Sequence, residues 1–136
     1  MKKENMTITI GLIFLICVTA CTDTPQVTRT GTVKDIVIKE EIVPNHLRVG
    51  LGDQVRWINQ RKQDVRVEFD KTVSEQIFCN NGFRVMAGIG HDSANLAPGQ
   101  SASLCFTEVG TRHYVVLADT SGLIEEERVS GTITVE

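Results

Sequence analysis

The sequence lacks a basic surplus. Its 136 residues carry 14 Lys and Arg against 17 Asp and Glu, a formal charge of −3. That is the wrong sign for neutralising a run of phosphates, so no nucleic-acid partner is expected. Prolines number only three and no residue type dominates, which excludes collagenous and low-complexity chains. Four cysteines are too few for a disulfide-stapled miniprotein, and without any Cys-x-x-Cys pair the usual structural-zinc and thioredoxin-like patterns are missing. No Ser-His-Asp order, His-Glu-x-x-His helix or phosphate loop occurs, and Gly88-Ile89-Gly90 lacks the strand-to-helix setting of a nucleotide cradle. No catalytic residue is therefore assigned, and the chain is not expected to be an enzyme. The length leaves room for one domain of ordinary size.

A long apolar run is missing too. Ile8 to Ala20 spans 13 residues interrupted only by threonine and glycine, short of the roughly 20 that cross a bilayer as a helix. With Lys2 and Lys3 ahead of it, the run has the proportions of a secretory signal peptide. Val18-Thr19-Ala20-Cys21 at its end resembles the bacterial lipobox, in which the cysteine is diacylated before cleavage. Cys17 fits that place worse, because Phe14-Leu15-Ile16 are bulky where the cut needs small side chains. An ordinary signal peptide or a buried N-terminal strand is the alternative. Residues 1–20 are thus read as signal, Cys21 as the lipidation site, residues 21–32 as lipidated cysteine and polar tether, and residues 33–136 as the domain. Removing Lys2, Lys3 and Glu4 leaves 12 basic against 16 acidic side chains, a net −4 for the mature chain. Thr22, not Asp, follows Cys21, which by the sorting rule of enteric bacteria favours the outer membrane, facing the periplasm. Two acyl chains would anchor it firmly.

From Asp35 onward no stretch has apolar residues at helical spacing, while short β-rich runs bounded by Gly, Pro, Asn or Asp recur. Seven strands are predicted: residues 36–38, 47–49, 54–59, 64–69, 101–107, 112–117 and 131–135. Alternation is cleanest where Val65, Val67 and Phe69 oppose Arg66 and Glu68, the period of a half-buried antiparallel strand. Gly50-Leu51-Gly52-Asp53 and Pro98-Gly99-Gln100 are turn signals. The pattern implies an all-β, Greek-key sandwich of about seven to eight strands. Lys71 to Ala97 is too long for a hairpin loop and is expected to hold a short helix or an irregular excursion.

The residues then resemble a family. Ile42 to Asn59, with Gly52-Asp53-Gln54-Val55-Arg56-Trp57, looks like the opening half of the plastocyanin-like cupredoxins. Phe69-Asp70, Leu96-Ala97-Pro98-Gly99, Gly110-Thr111 and Gly131-Thr132-Ile133-Thr134-Val135 resemble later landmarks of that family. The resemblance covers residues 33–136 and implies a cupredoxin-like sandwich. It also implies a type 1 copper site of two imidazoles, a thiolate and an axial thioether, and here the sequence departs. The family's first imidazole falls on Val65. Its Cys-x-x-His-x-x-x-x-Met, counted from Gly110-Thr111, falls on Val116, Asp119 and Ile124. After Phe106 there is no cysteine or methionine, and the sole histidine is His113. No metal ligand is assigned and no cofactor is expected. Val65 and Val116 are expected to fill the hollow with aliphatic volume.

Cys79, Met86, His91, Cys105 and His113 are the remaining soft or imidazole groups, and copper held by them in another geometry is the alternative. Solvated or hydrogen-bonded imidazoles are the reading adopted for His46, His91 and His113. Alternation places His113 outside the core if Tyr114 is inside, and Trp57 inside beside Val55. Asn59 closes its strand. Glu125-Glu126-Glu127-Arg128 reads as a solvated loop. With Cys17 removed and Cys21 lipidated, Cys79 and Cys105 are the thiols left in an oxidising compartment, so a disulfide between them is expected, against the alternative of two buried free cysteines. The function expected is an envelope lipoprotein whose copper-free cupredoxin-like domain binds another envelope protein. An electron-transfer protein with a non-standard copper site and an immunoglobulin-like adhesion module are the alternatives.

Overall fold

The structure is a computed structural model and describes residues 26–85, 91–118 and 127–136. Ten strands form among the described residues: β1 Val33–Ile38, β2 Ile42–Val43, β3 His46–Val49, β4 Gln54–Asn59, β5 Val65–Phe69, β6 Ile77–Asn81, β7 Ser93–Leu96, β8 Ser101–Phe106, β9 Gly110–Ala118 and β10 Glu127–Val135. A single 3₁₀ turn, Ser74–Gln76, precedes β6. The strands divide into two five-stranded sheets, ordered β2-β1-β4-β8-β6 and β3-β10-β9-β5-β7. Both sheets are mixed, since β1 runs parallel to β4 and β3 parallel to β10 while the other pairings are antiparallel.

Period-two alternation drives the assembly. In β4, Val55, Trp57 and Asn59 are buried while Gln54, Arg56 and Ile58 look outward; in β5, Val65, Val67 and Phe69 are buried. The inner faces meet around Trp57, whose indole packs edge-on against Phe69, Phe83 and Tyr114 at centroid separations of 5.8, 5.1 and 5.6 Å. Fully burying side chains of this size stabilises by roughly 2–3 kcal/mol each before entropy is counted, and edge-on ring contacts add about 1 kcal/mol. Trp57 and Tyr114 are both inside, and His113 is outside, as the alternation implies.

All seven predicted strands form: 54–59 keeps its bounds, four are longer, by up to four residues at β10, and two are one residue shorter. The segment from Lys71 to Ala97 departs from expectation, because among its described residues it supplies β6 and β7 as well as the 3₁₀ turn. Neither strand announces itself: β6 is an edge strand with no buried residue and a bulge between Ile77 and Cys79, and β7 buries only Ala94 and Leu96. Ahead of β1, the chain already touches the domain. The Thr30 N–H donates to the Gly52 carbonyl at 3.1 Å, and the Thr30 hydroxyl donates to Asp53 at 2.5 Å. Gly52 has φ +85°, and a Cβ there would lie 2.1 Å from the Thr28 carbonyl oxygen. The close approach therefore requires glycine.

Candidate functional site

One end of the sandwich gathers the start of β5, the ends of β4, β7 and β9, and the start of β10. Asn59 knits it together. Its side-chain amide is fully buried and donates to the carbonyls of Gln63 and Leu96, both at 2.9 Å. Its own carbonyl oxygen accepts from the Arg61 N–H at 2.8 Å. Arg61 extends the network: Nε donates to the Lys39 carbonyl at 2.5 Å, Nη2 to the Glu40 carbonyl at 3.3 Å, and both terminal nitrogens to the Glu127 carboxylate at 2.9 Å each. This fork holds the Glu127 carboxyl below the usual range. Glu127 and Arg128 belong to β10, so the charge run read as a solvated loop continues into a strand whose first carboxylate is paired. Glu125 and Glu126 lie outside the described residues.

At the same end, Val65 and Val116 occupy the inner face of the second sheet. Val65 stands opposite Ala118 and Val116 opposite Val67, which makes the two valines diagonal neighbours on one face. They are 3% and 2% exposed. Two aliphatic groups with no lone pair thus meet where the resemblance puts the first imidazole and the thiolate. Asp119 and Ile124, the other two aligned positions, lie outside the described residues, as do Cys17, Cys21 and Met86.

Cys79 and Cys105 are bonded to each other, with 4.9 Å between their Cα atoms. They are register partners on β6 and β8, so the bridge ties an edge strand with little apolar burial to one that is buried from Ala102 on. Both sulfurs are thereby removed as thiolate donors. The three histidines lie on the second sheet or at its margin. His91 Nδ1 is 3.1 Å from the Phe69 carbonyl oxygen, His113 Nδ1 is 3.3 Å from Thr132 Oγ1, and His46 Nε2 is 3.4 Å from Thr134 Oγ1. Among the described residues no three His, Cys, Asp or Glu side chains are grouped to hold a metal ion. Sequence reasoning treated these histidines singly and missed that His46 and His113 line one cavity, together with Asp70 and Thr132.

Solved structures of amicyanin share the fold. A reduced variant aligns at 22% identity over 78% of this chain and 84% of that one, with a TM-score of 0.53. The fold is cupredoxin-like. An oxidised amicyanin variant aligns over 84% of this chain and 95% of that one at 22% identity and TM-score 0.53. The reduced Cu(I) form of a further variant, at pH 4, shares 27% identity over 81% of this chain and 86% of that one, with a TM-score of 0.51. No family model and no curated protein sequence matches the chain.

Proposed function

We propose that the chain is an envelope lipoprotein, with residues 1–20 as signal peptide and Cys21 as the acylated anchor, that presents a cupredoxin-like sandwich without type 1 copper as a binding or accessory module for another envelope protein. The observation that carries the reading is the Val65–Val116 pair. A trigonal copper site needs two imidazoles and a thiolate, and these buried side chains offer only carbon. The Cys79–Cys105 disulfide supports an oxidising compartment, where such bonds persist. The alternative, copper held by Cys79, Met86, His91, Cys105 or His113, is weakened because the disulfide leaves neither cysteine a thiolate. Partnership with a redox complex rests on the amicyanin likeness alone.

Two measurements test this. Wild-type and Cys21→Ser chains are expressed in a diderm bacterium and their membranes fractionated; the wild type is expected in the membrane pellet with an acylated N-terminus, and the variant as an unacylated species. A variant acylated and retained like the wild type would refute the anchor. The purified protein, loaded with copper(II), is expected to show none of the intense visible absorption of copper-thiolate charge transfer. A stoichiometric blue or green species would overturn the copper-free reading.

A further inference from the structure

The outer face of the second sheet carries a row of polar side chains that its register specifies. His46 on β3 stands opposite Thr132 on β10, and Thr132 stands opposite His113 on β9. One position past the end of β5, the Asp70 N–H donates to the His113 carbonyl at 3.3 Å, which brings Asp70 alongside His113. Register partners share a face, so the row reads His46, Thr132, His113, Asp70 across neighbouring strands. All four line one open cavity of about 430 Å³. Two of the chain's three histidines thus meet in a single hollow, at the opposite end of the sheet from Val65 and Ala118.

The hydrogen bonds orient both rings. His113 bonds through Nδ1 to Thr132, and His46 through Nε2 to Thr134, so each ring leans over β10, the strand between them. In each imidazole one nitrogen is engaged by a hydroxyl and the other is left out of that bond. The two Cα atoms are two strand spacings apart, about 10 Å, so each side chain has to span only about half that distance. As the side chains lie, no third ligand among the described residues converges with them. Bringing the rings together takes χ rotations of two exposed histidines, which exchange the hydroxyl contacts to Thr132 and Thr134 for the ion.

We propose that this cavity binds one divalent, imidazole-preferring metal ion, of the zinc(II) or copper(II) class, between His46 and His113. Solvent completes the coordination, and the Asp70 carboxylate supplies negative charge beside the ion. The site is separate from the aliphatic Val65–Val116 region and stands whether or not the chain is a lipoprotein.

The test is calorimetric titration of zinc(II), and separately copper(II), into the tag-free full chain in detergent, with His46→Gln, His113→Gln and His91→Gln variants. The expected result is one saturable site for the wild type, weakened about tenfold or more by either of the first two substitutions and unchanged by the third. Thermal melts of the variants serve as the folding check, and because His46 and His113 are exposed both are expected to melt with the wild type. Absence of saturable binding, binding that survives the loss of both His46 and His113, or equal sensitivity to His91→Gln would overturn the proposal.

Discussion

Gly131 lies against the face of Tyr114. The two are register partners on β10 and β9, and a Cβ built on Gly131 would sit 2.2 Å from Tyr114 Cζ and 2.3 Å from its hydroxyl oxygen. The tyrosine is fully buried, walled in by Trp57 and Phe69, so it cannot swing aside. Gly131→Ala is expected to destabilise by about 3 kcal/mol or more, the upper range for overpacking a dense core. Urea denaturation of wild type and variant measures it, and a loss below about 1 kcal/mol would show that the ring has room to shift.

Tyr114→Phe should behave in the opposite sense. The Tyr114 hydroxyl and the Trp57 indole nitrogen are both buried without a hydrogen bond of ordinary geometry. Burial pushes the phenol well above its ordinary range, and the nearby Trp57 N–H opposes that shift. A buried hydroxyl without a partner costs about 1–3 kcal/mol in desolvation, so removing it is expected to leave the melting temperature unchanged or raise it. A clear drop would reveal a hydrogen bond between the two groups.

These residues also show what was legible in the sequence. Strands β4, β5 and β9 announced themselves because each buries every second side chain, and Tyr114 inside implied His113 outside. Strand β6 did not, because an edge strand held by backbone pairing and a disulfide needs no apolar period, and β7, with only Ala94 and Leu96 inward over four residues, is too short to show one. The burial of Val65 and Val116 followed from strand alternation, and the disulfide from elimination among four cysteines. The His46–His113 cavity had no sequence signal, because it arises where β3 enters the second sheet parallel to β10, a pairing of distant segments. The Arg61–Glu127 fork was hidden for the same reason.

The Cys79–Cys105 bridge closes a loop with a sequence separation of 26, for which loop-closure entropy gives about 3–4 kcal/mol of stabilisation. The Cys79→Ser, Cys105→Ser double variant is expected to lose an amount of that order in urea denaturation, and reductant should bring the wild type to the same midpoint. Mass spectrometry without prior reduction checks the bond directly: alkylation of both thiols would contradict it.

Asn59→Asp is expected to be among the most damaging single-atom-scale changes in the domain. The amide donates to two carbonyls and accepts one N–H, so every direction is specified. Aspartate would turn two attractive contacts into oxygen facing oxygen and bury a charge, at an expected cost of about 3 kcal/mol or more at neutral pH. Asn59→Ser removes the donors without adding charge and should cost less. Equal stabilities of the two variants would mean that the aspartate is protonated or solvated there.

Stability should fall on acidification for a reason with a definite sign. The carboxyls of Glu127, Asp35 and Asp53 are each held below their usual range: by the Arg61 fork, by the Arg56 guanidinium at 2.8 and 2.9 Å, and by the Thr30 hydroxyl with the Gly50 N–H. In the unfolded chain such groups titrate near about pH 4. A folded value below the unfolded one means that each contribution is complete above that pH and is lost as the pH drops through the folded value. Each of these carboxylates is open to solvent, so each is expected to contribute less than about 1 kcal/mol, and less still in high salt. Glu127→Gln removes one of the three titrations and should flatten the fall in denaturation midpoint between about pH 6 and pH 3, while changing little at pH 7 beyond the loss of the pair itself. Urea midpoints collected across that range at two salt concentrations read this out, and a midpoint that rose as the wild type was acidified would show that other groups, with folded values raised, dominate the titration.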